Sequence, residues 1–478
     1  MLTYGVGECA NSLVMNGVFG FAMIFFTKAL GLNPAWAGVA MSVSVIWEAL
    51  FEPVIGHISD NTRSRWGRRH PYMIVGGFLM TACSCLIWFV PGCFRFSGWS
   101  TLGYVITVNL LLRTGLTMFF IPYMALGFEM CSDYQGRAKL QSIRQIFNMA
   151  ANFAGPALAW SIFFQDQNSV RATTIAKNYL RMGMVFAGCT AVFVLIVVVF
   201  TFRWHEDTRR LARGPEAGGI ESFRVDMRQI LCDPNPRWVF VFVFIVCSGM
   251  VLVSSLQIFI YDDYLNISGR QKSIAHGSTM LGMALGAFLS IGVAKRLDKR
   301  NTVLFGGTIS VFSNLLLGLL FVTGLVPLDA AWRFAGHSLP VALCLFVPLH
   351  VAYWFGNGVM LPVSNSMMAD VSEICLLKTG VKKDGAYSSV FSLSMRLAIS
   401  LSLFVSGYCL QFIGYKVPVG GETVTQSPDA IWRLGLVTFV VGAGICLCSL
   451  LAIRRYPITR ELLTTLRRDH PKPQPRGP

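Results

Sequence analysis

Long apolar runs separated by short polar or basic connectors set the pattern of this chain. They lie near residues 9–31, 36–58, 71–91, 102–125, 141–165, 180–202, 237–262, 273–293, 302–324, 338–363, 387–412 and 431–453. Each is close to the roughly 20 residues that a helix needs to cross a bilayer. Because the runs are continuous and do not alternate apolar with polar, they predict α-helices and not the strands of a membrane barrel. The expected fold class is an all-α membrane protein with twelve spans. The first run begins shortly after Met1, behind Glu8, with no basic leader or small-residue cleavage site, and reads as a retained helix.

Composition agrees: 54% of residues are hydrophobic, 13% are charged, and the mean hydropathy is +0.56, too apolar for an ordinary soluble protein. The net charge of +16 is a matter of topology. Roughly 27 of the 40 Lys and Arg fall in connectors on the side of the termini, about 10 on the opposite side and about 3 within helices. Both termini are therefore expected in the cytoplasm, with the chain multi-pass in the cell inner (plasma) membrane. The proline-rich tail around Arg467, Arg468, Lys472 and Arg476 reads as disordered and close to acidic headgroups. No RNA-binding motif is present, and no nucleic-acid partner is expected. The cysteines are scattered without a metal-type quartet and read as small buried apolar side chains.

The longest connector outside the tail, 203–236, is rich in Arg, Glu and Gly and separates six runs from six. It predicts an N-terminal six-helix bundle (1–202), a cytoplasmic central loop (203–236), a C-terminal six-helix bundle (237–456) and a cytoplasmic tail (457–478). In each half the connector between the second and third runs is basic and holds an aspartate: SDNTRSRWGRRH in the first, AKRLDKRN with Asp298 in the second. That weak repeat is in register, as duplicated transporter halves show.

Two acids break the second run. Glu48 and Glu52 are four residues apart, so they project from one face of a helix, one turn from each other. A carboxylate at mid-membrane costs about 2.5–3.5 kcal/mol, so neither is expected to face lipid. They face a wet cavity, a cation or a basic partner; an ion pair that merely ties helices together is the plainer alternative. Asp60, at the end of that helix, can latch to one of Arg63, Arg65, Arg68 or Arg69, or be surface charge.

GHISDNTRSRWGRRHPY resembles the second-to-third-helix loop of the major facilitator superfamily, in the version typical of the glycoside-pentoside-hexuronide:cation symporters. YGVGE at 4–8, IPYMALGFEMCSDYQGRAKLQSIRQIF at 121–147 and MMADVSEICLLKTGVKKDGAYS at 367–388 resemble the same family in order, so the likeness covers nearly the whole chain. The resemblance implies the major facilitator fold, with two pseudo-symmetric six-helix halves. It also implies cation-coupled symport of a sugar or glycoside by alternating access, with no cofactor beyond a coupling ion, H+ or Na+, and no enzymatic activity. It implies a cation site at Glu48, Glu52 and Thr117, although the family usually has Asp at the two acidic positions. Arg144 matches a sugar-contacting arginine, and Arg396 stands at the position of a lysine. Gate residues implied on the cytoplasmic side are Asp60, Arg63, Arg68, Arg137, Asp370 and Glu373.

Departures narrow the substrate. Ser12 and Phe120 stand where melibiose permease, the familiar member, carries sugar-binding aspartates, and Met124 and Leu361 where it carries tryptophans. A galactoside read by those groups is not expected. Tyr353 and Trp354, about two turns before Leu361, either supply a displaced stacking surface or pack the helix interior. The expected partners are a small-molecule sugar or glycoside and the lipid bilayer, for a monomeric protein.

Arg113 has no counterpart in the family pattern. It recurs with Thr117, Phe120 and Met124 at helical spacing, so it shares their face, and it is predicted to pair with Glu48. Glu52 is then left to exchange an ion. Sodium is held best by several oxygens, whereas a single carboxylate can carry a proton, which favours proton coupling. Arg113, Arg144 and Arg396 outnumber the two interior carboxylates, which points to an acidic sugar such as a uronic-acid glycoside, with neutral oligosaccharides close behind. Asp262 and Asp263 in YDDY read as solvated loop charge in preference to an outer gate. A lysophospholipid or other amphiphile carrier is the rival reading, suggested by the greasy Phe120, Met124 and Leu361. An enzyme lacks support: no nucleophile motif, metal cluster or phosphate-cradling glycine loop is present.

Overall fold

The computed structural model describes all residues except 63, 96, 131–133, 166–170, 203–233, 329, 335–336, 380–383, 418–423 and 470–478. Among the described residues, twelve long helical segments follow the twelve apolar runs. They are α1 (Gly7–Ile24), α2 (Pro34–Asn61), α3 (His70–Leu86), α4 (Gly98–Met130), α5 (Tyr134–Leu158) and α6 (Ala176–Thr201), followed by α7 (Pro234–Phe259), α8 (Gly269–Leu297), α9 (Lys299–Leu317), α10 (Val341–Thr379), α11 (Asp384–Phe412) and α12 (Pro428–Ile453). Ten helices among the described residues are long and apolar enough to cross a membrane. The two others are α3, which has only 17 residues, and α5, which carries Gln141, Arg144, Gln145, Asn148 and Asn152.

Local signals explain the helix starts. Asn33 caps α2 by accepting from the Ala35 amide at 2.9 Å, and Pro34 follows it, where a missing N–H costs nothing. Asp298 starts α9 in the left-handed region (φ 68°), its carboxylate accepting from the Lys299 amide at 2.7 Å.

Two features differ from the sequence expectation. A short antiparallel hairpin pairs Ala331–Phe334 with His337–Pro340 between α9 and α10, where an all-helical chain was expected to have only loop. The tail is also not wholly irregular: Arg460–Asp469 forms a helix, α13, because Ile458 and Leu463 bury against the apolar core around Met367 and Tyr456. Lys472 and Arg476 lie outside the described residues.

The chain divides into two compact units. The first comprises Met1–Glu216, Ser254–Gly277 and Ser400–Leu434, and the second Ala217–Val253, Ser278–Ile399 and Gly435–Pro478. In the first, Phe21, Phe25, Trp88, Trp160, Phe164 and Tyr179 form a contiguous aromatic cluster with centroid separations of 4.7 to 6.0 Å. In the second, Val239, Phe242, Val243, Val303, Met360, Met367 and Ala398 are central to the apolar core. The expected central loop lies mostly outside the described residues.

Glycine sets the α3–α4 crossing. A Cβ added at Gly115 would stand 2.5 Å from the Met80 amide nitrogen, and one at Gly76 the same distance from that of Phe119. Only backbone without side chains fits there, and this close approach fixes the opposite face of α4, which carries Arg113 and Thr117. Gly115→Val is expected to cost at least about 1–3 kcal/mol of stability through overpacking. Thermal unfolding of the purified protein measures it. Gly103→Ala is the control, since nothing lies within 4 Å of that position.

Candidate functional site

The charges that interrupt the helices of the first unit find one another. Arg113 on α4 donates from Nη1 to Glu48 Oε2 on α2 at 2.6 Å, as spacing predicted, and the pair is 1% and 5% exposed. The same nitrogen lies 3.3 Å from the Met15 sulfur, and the guanidinium stands 5.0 Å from the centre of the Phe19 ring, so α1 covers the pair. One turn along α4, Thr117 is buried and its hydroxyl has no hydrogen-bond partner among the described residues. One turn along α2, Glu52 is half-buried. Trp47 Nε1 donates to Thr114 Oγ1 at 2.9 Å and ties the same two helices on their exposed side.

A second pair joins α1 to α5. Arg144 donates from Nε to Glu8 Oε1 at 2.7 Å, with Nη2 bonded to the same oxygen, and Nη1 reaches Gln141 Oε1 at 3.0 Å. The guanidinium also contacts the Met124 sulfur and lies 5.3 Å from the Tyr123 ring centre. Tyr123 is in turn fixed by Tyr4: the rings stack at 4.4 Å, and each hydroxyl donates to the other residue's carbonyl, at 2.5 and 2.9 Å. The arginine is thereby clamped on three sides.

The pair is the first rung of a ladder. Asn148 Nδ2 donates to Ser12 Oγ at 2.8 Å, Asn16 Nδ2 to Asn152 Oδ1 at 2.5 Å, and Asn152 Nδ2 to Asn148 Oδ1 at 3.0 Å. Glu8, Ser12 and Asn16 recur every four residues on α1, and Arg144, Asn148 and Asn152 do so on α5, so the seam between these helices is polar for two full turns. Sequence reasoning singled out Ser12 and Arg144 but missed Glu8, Asn16, Asn148 and Asn152. The matched fourfold spacing on two helices was the available signal.

Glu8 also corrects a charge count. The interior arginines were expected to outnumber the interior carboxylates and so to call for an acidic substrate. Glu8 is buried and paired with Arg144, as Glu48 is with Arg113, so neither of these arginines is left over for an acidic ligand.

The remaining sequence candidates are dispersed. Phe120 and Met124 are half-buried on α4 beside Tyr123 and Arg144. In the second unit, Arg396 and Leu361 are half-buried, Leu361 against the apolar core. Trp354 is buried, donating from Nε1 to His350 Nε2 at 3.2 Å and packing edge-on against Tyr353 at 5.5 Å. Asp370 accepts from Lys299 Nζ at 2.5 Å, Glu373 is half-buried, and Arg68 is half-buried beside Arg69, which donates to Ser59 Oγ at 3.0 Å. The side chains of Asp60 and Arg137, and all of Arg63, lie outside the described residues.

A further charged centre contradicts the reading of YDDY as solvated. Asp262 is 2% exposed at the C-terminal end of α7. It accepts from Lys28, from Lys272 at 2.5 Å and from Thr173 Oγ1 at 2.7 Å. Asp263 accepts from Lys28 at 2.7 Å, Arg171 at 2.9 Å and the Tyr415 hydroxyl at 2.7 Å. Burial, and then the Asp263 carboxylate beside it, hold the Tyr415 phenol well above its ordinary range, so it donates throughout the physiological pH interval. Asp262 is buried and Asp263 half-buried, with three cations from separate segments converging on them.

A family model described as MFS/sugar transport protein matches residues 3–460. The chain belongs to that family. Among relatives of this family member, the glucuronide carrier protein homolog of Escherichia coli K12 is 24% identical, covering 95% of this chain and 92% of that protein. The isoprimeverose transporter of Lactiplantibacillus pentosus is 23% identical over 98% and 91%. The sodium-dependent lysophosphatidylcholine symporter 1 of Xenopus tropicalis is 22% identical over 96% and 87%. A crystal structure of a D-xylose-proton symporter superposes with a TM-score of 0.65 at 10% identity, over 96% of this chain and 97% of that one, which shows the fold. The MFS member is thus a multi-pass membrane transporter, as its family description has it.

Proposed function

We propose that the protein is a symporter that couples a cation, the proton, to the uptake of a neutral glycoside by alternating access between two six-helix halves. Both termini lie in the cytoplasm. The reading rests above all on the polar seam of α1 and α5 in a membrane-spanning setting. Amides and a hydroxyl that bond one another across two turns, ending in a fully paired arginine, suit a ligand rich in hydroxyls. With Arg144 and Arg113 each paired to a carboxylate, neither guanidinium at this site calls for an acid. The sugar for which the isoprimeverose transporter is named, and the glycosidic nature of a glucuronide, support a glycoside here.

Glu52 is the exchanging carboxylate in this reading. Glu48 is held by Arg113, so the acid one turn on takes and releases the proton. Glu52→Gln is expected to abolish proton-driven accumulation in proteoliposomes while leaving counterflow of substrate intact; accumulation that persists in the variant rejects the assignment. A second reading, an amphiphile carrier, is favoured by half-buried Phe120, Met124 and Leu361 and by the lysophosphatidylcholine relative. Lysolipid uptake that sugars fail to inhibit would establish it.

A further inference from the structure

The acidic pair on α2 and the Thr117 hydroxyl on α4 are hard oxygen groups on facing helices, the kind of donors that hold an alkali cation. Sodium nevertheless does not fit this set as it stands. One of the two carboxylates, Glu48, is already bonded at 2.6 Å to a guanidinium that belongs to the protein. Arg113 is only 1% exposed and is held by the Met15 sulfur and the Phe19 ring, so it is fixed against Glu48 from the α1 side as well. A second cation entering beside it would meet like charge at close range where water screens poorly. The buried Thr117 oxygen, one turn further on, has no hydrogen-bond partner among the described residues.

We infer that Arg113 is a tethered cation: it fills at Glu48 the place a diffusible sodium ion would take, and it makes the transporter blind to sodium. The site is therefore a latent sodium site, closed by one side chain. Removing the positive charge uncovers the buried Glu48 carboxylate, which then needs a counter-ion, with the buried Thr117 hydroxyl on the facing helix as a further oxygen donor. The inference deepens the symport reading by fixing the ion, but its test uses no sugar and no gradient.

The experiment is 22Na+ binding to the purified full-length protein at neutral pH, with potassium as the competing control and melting temperature as a second readout. The wild type is expected to show no saturable sodium binding up to tens of millimolar and no sodium-dependent rise in melting temperature. Arg113→Met and Arg113→Gln are each expected to bind sodium at least 100-fold more tightly and to melt higher with sodium than with potassium. Adding Glu48→Gln to either should remove the binding, and Arg113→Lys, which keeps the tethered charge, should remain blind. Two neutral replacements guard against one failing to fold. Saturable sodium binding by the wild type overturns the inference, as does a folded neutral variant that ignores sodium. Failure of the Glu52→Gln test would leave this result standing, so the two readings fall separately.

Discussion

Asp262→Asn is expected to destabilise the protein more than any other single substitution among the residues described. The carboxylate is the shared acceptor of Lys28, Lys272 and Thr173; without its charge Lys272 loses its ion pair, and Lys28 and Arg171 keep only Asp263. Breaking a buried pair by removing one partner costs about 3–5 kcal/mol, because the other charge is stranded without water. Thermal unfolding in detergent should show the loss. Adding Lys272→Met, which removes one stranded charge, should restore much of the melting temperature. The control is Arg468→Met on the exposed tail, which should leave the Asp262→Asn melt unchanged. A double variant Asp262→Asn, Lys272→Met as labile as the single would show that the cluster is held by something other than charge balance.

Glu8→Gln is expected to reduce uptake of a neutral glycoside by roughly 100-fold, the equivalent of about 3 kcal/mol. Glu8 Oε1 takes two of the arginine's nitrogens, so the variant leaves Arg144 without its counter-charge at the head of the seam. The stronger expectation concerns selectivity. An unmasked guanidinium suits a carboxylate, so uronates should compete better against neutral sugars in the variant than in the wild type. Competition uptake assays on both proteins read this directly. Equal competition in the two would mean that the Glu8–Arg144 pair does not govern the charge preference. Glu8→Gln with Arg144→Gln should recover melting temperature without recovering transport, which separates the structural share of the pair from its share in binding.

Much of the architecture was legible because a bilayer leaves few options: continuous apolar runs of spanning length can only be helices, and their number and order came directly from hydropathy. The Arg113–Glu48 contact was legible for a related reason, since two opposite charges at matching depth in neighbouring spans have nowhere else to go. Asp262 was misread because local sequence cannot show that lysines 234 residues before it and 10 residues after it converge on one point. Glu8 was passed over because it sits at a helix start, where an acid is ordinary. Its partner is 136 residues away. Leu463 and Ile458 are masked by a tail whose prolines and basic residues dominate its composition, although the helix they anchor is amphipathic.

The polarity of α5 also bears on how the protein is made. A segment carrying Gln141, Arg144, Gln145, Asn148 and Asn152 partitions poorly from the translocon into hydrocarbon by itself. The groups that neutralise and satisfy it, Glu8, Ser12 and Asn16, are on α1, which is synthesised earlier. Lateral release of the fifth span is therefore expected to depend on the first, and lesions at those three positions should lower the yield of inserted protein in addition to any effect on transport.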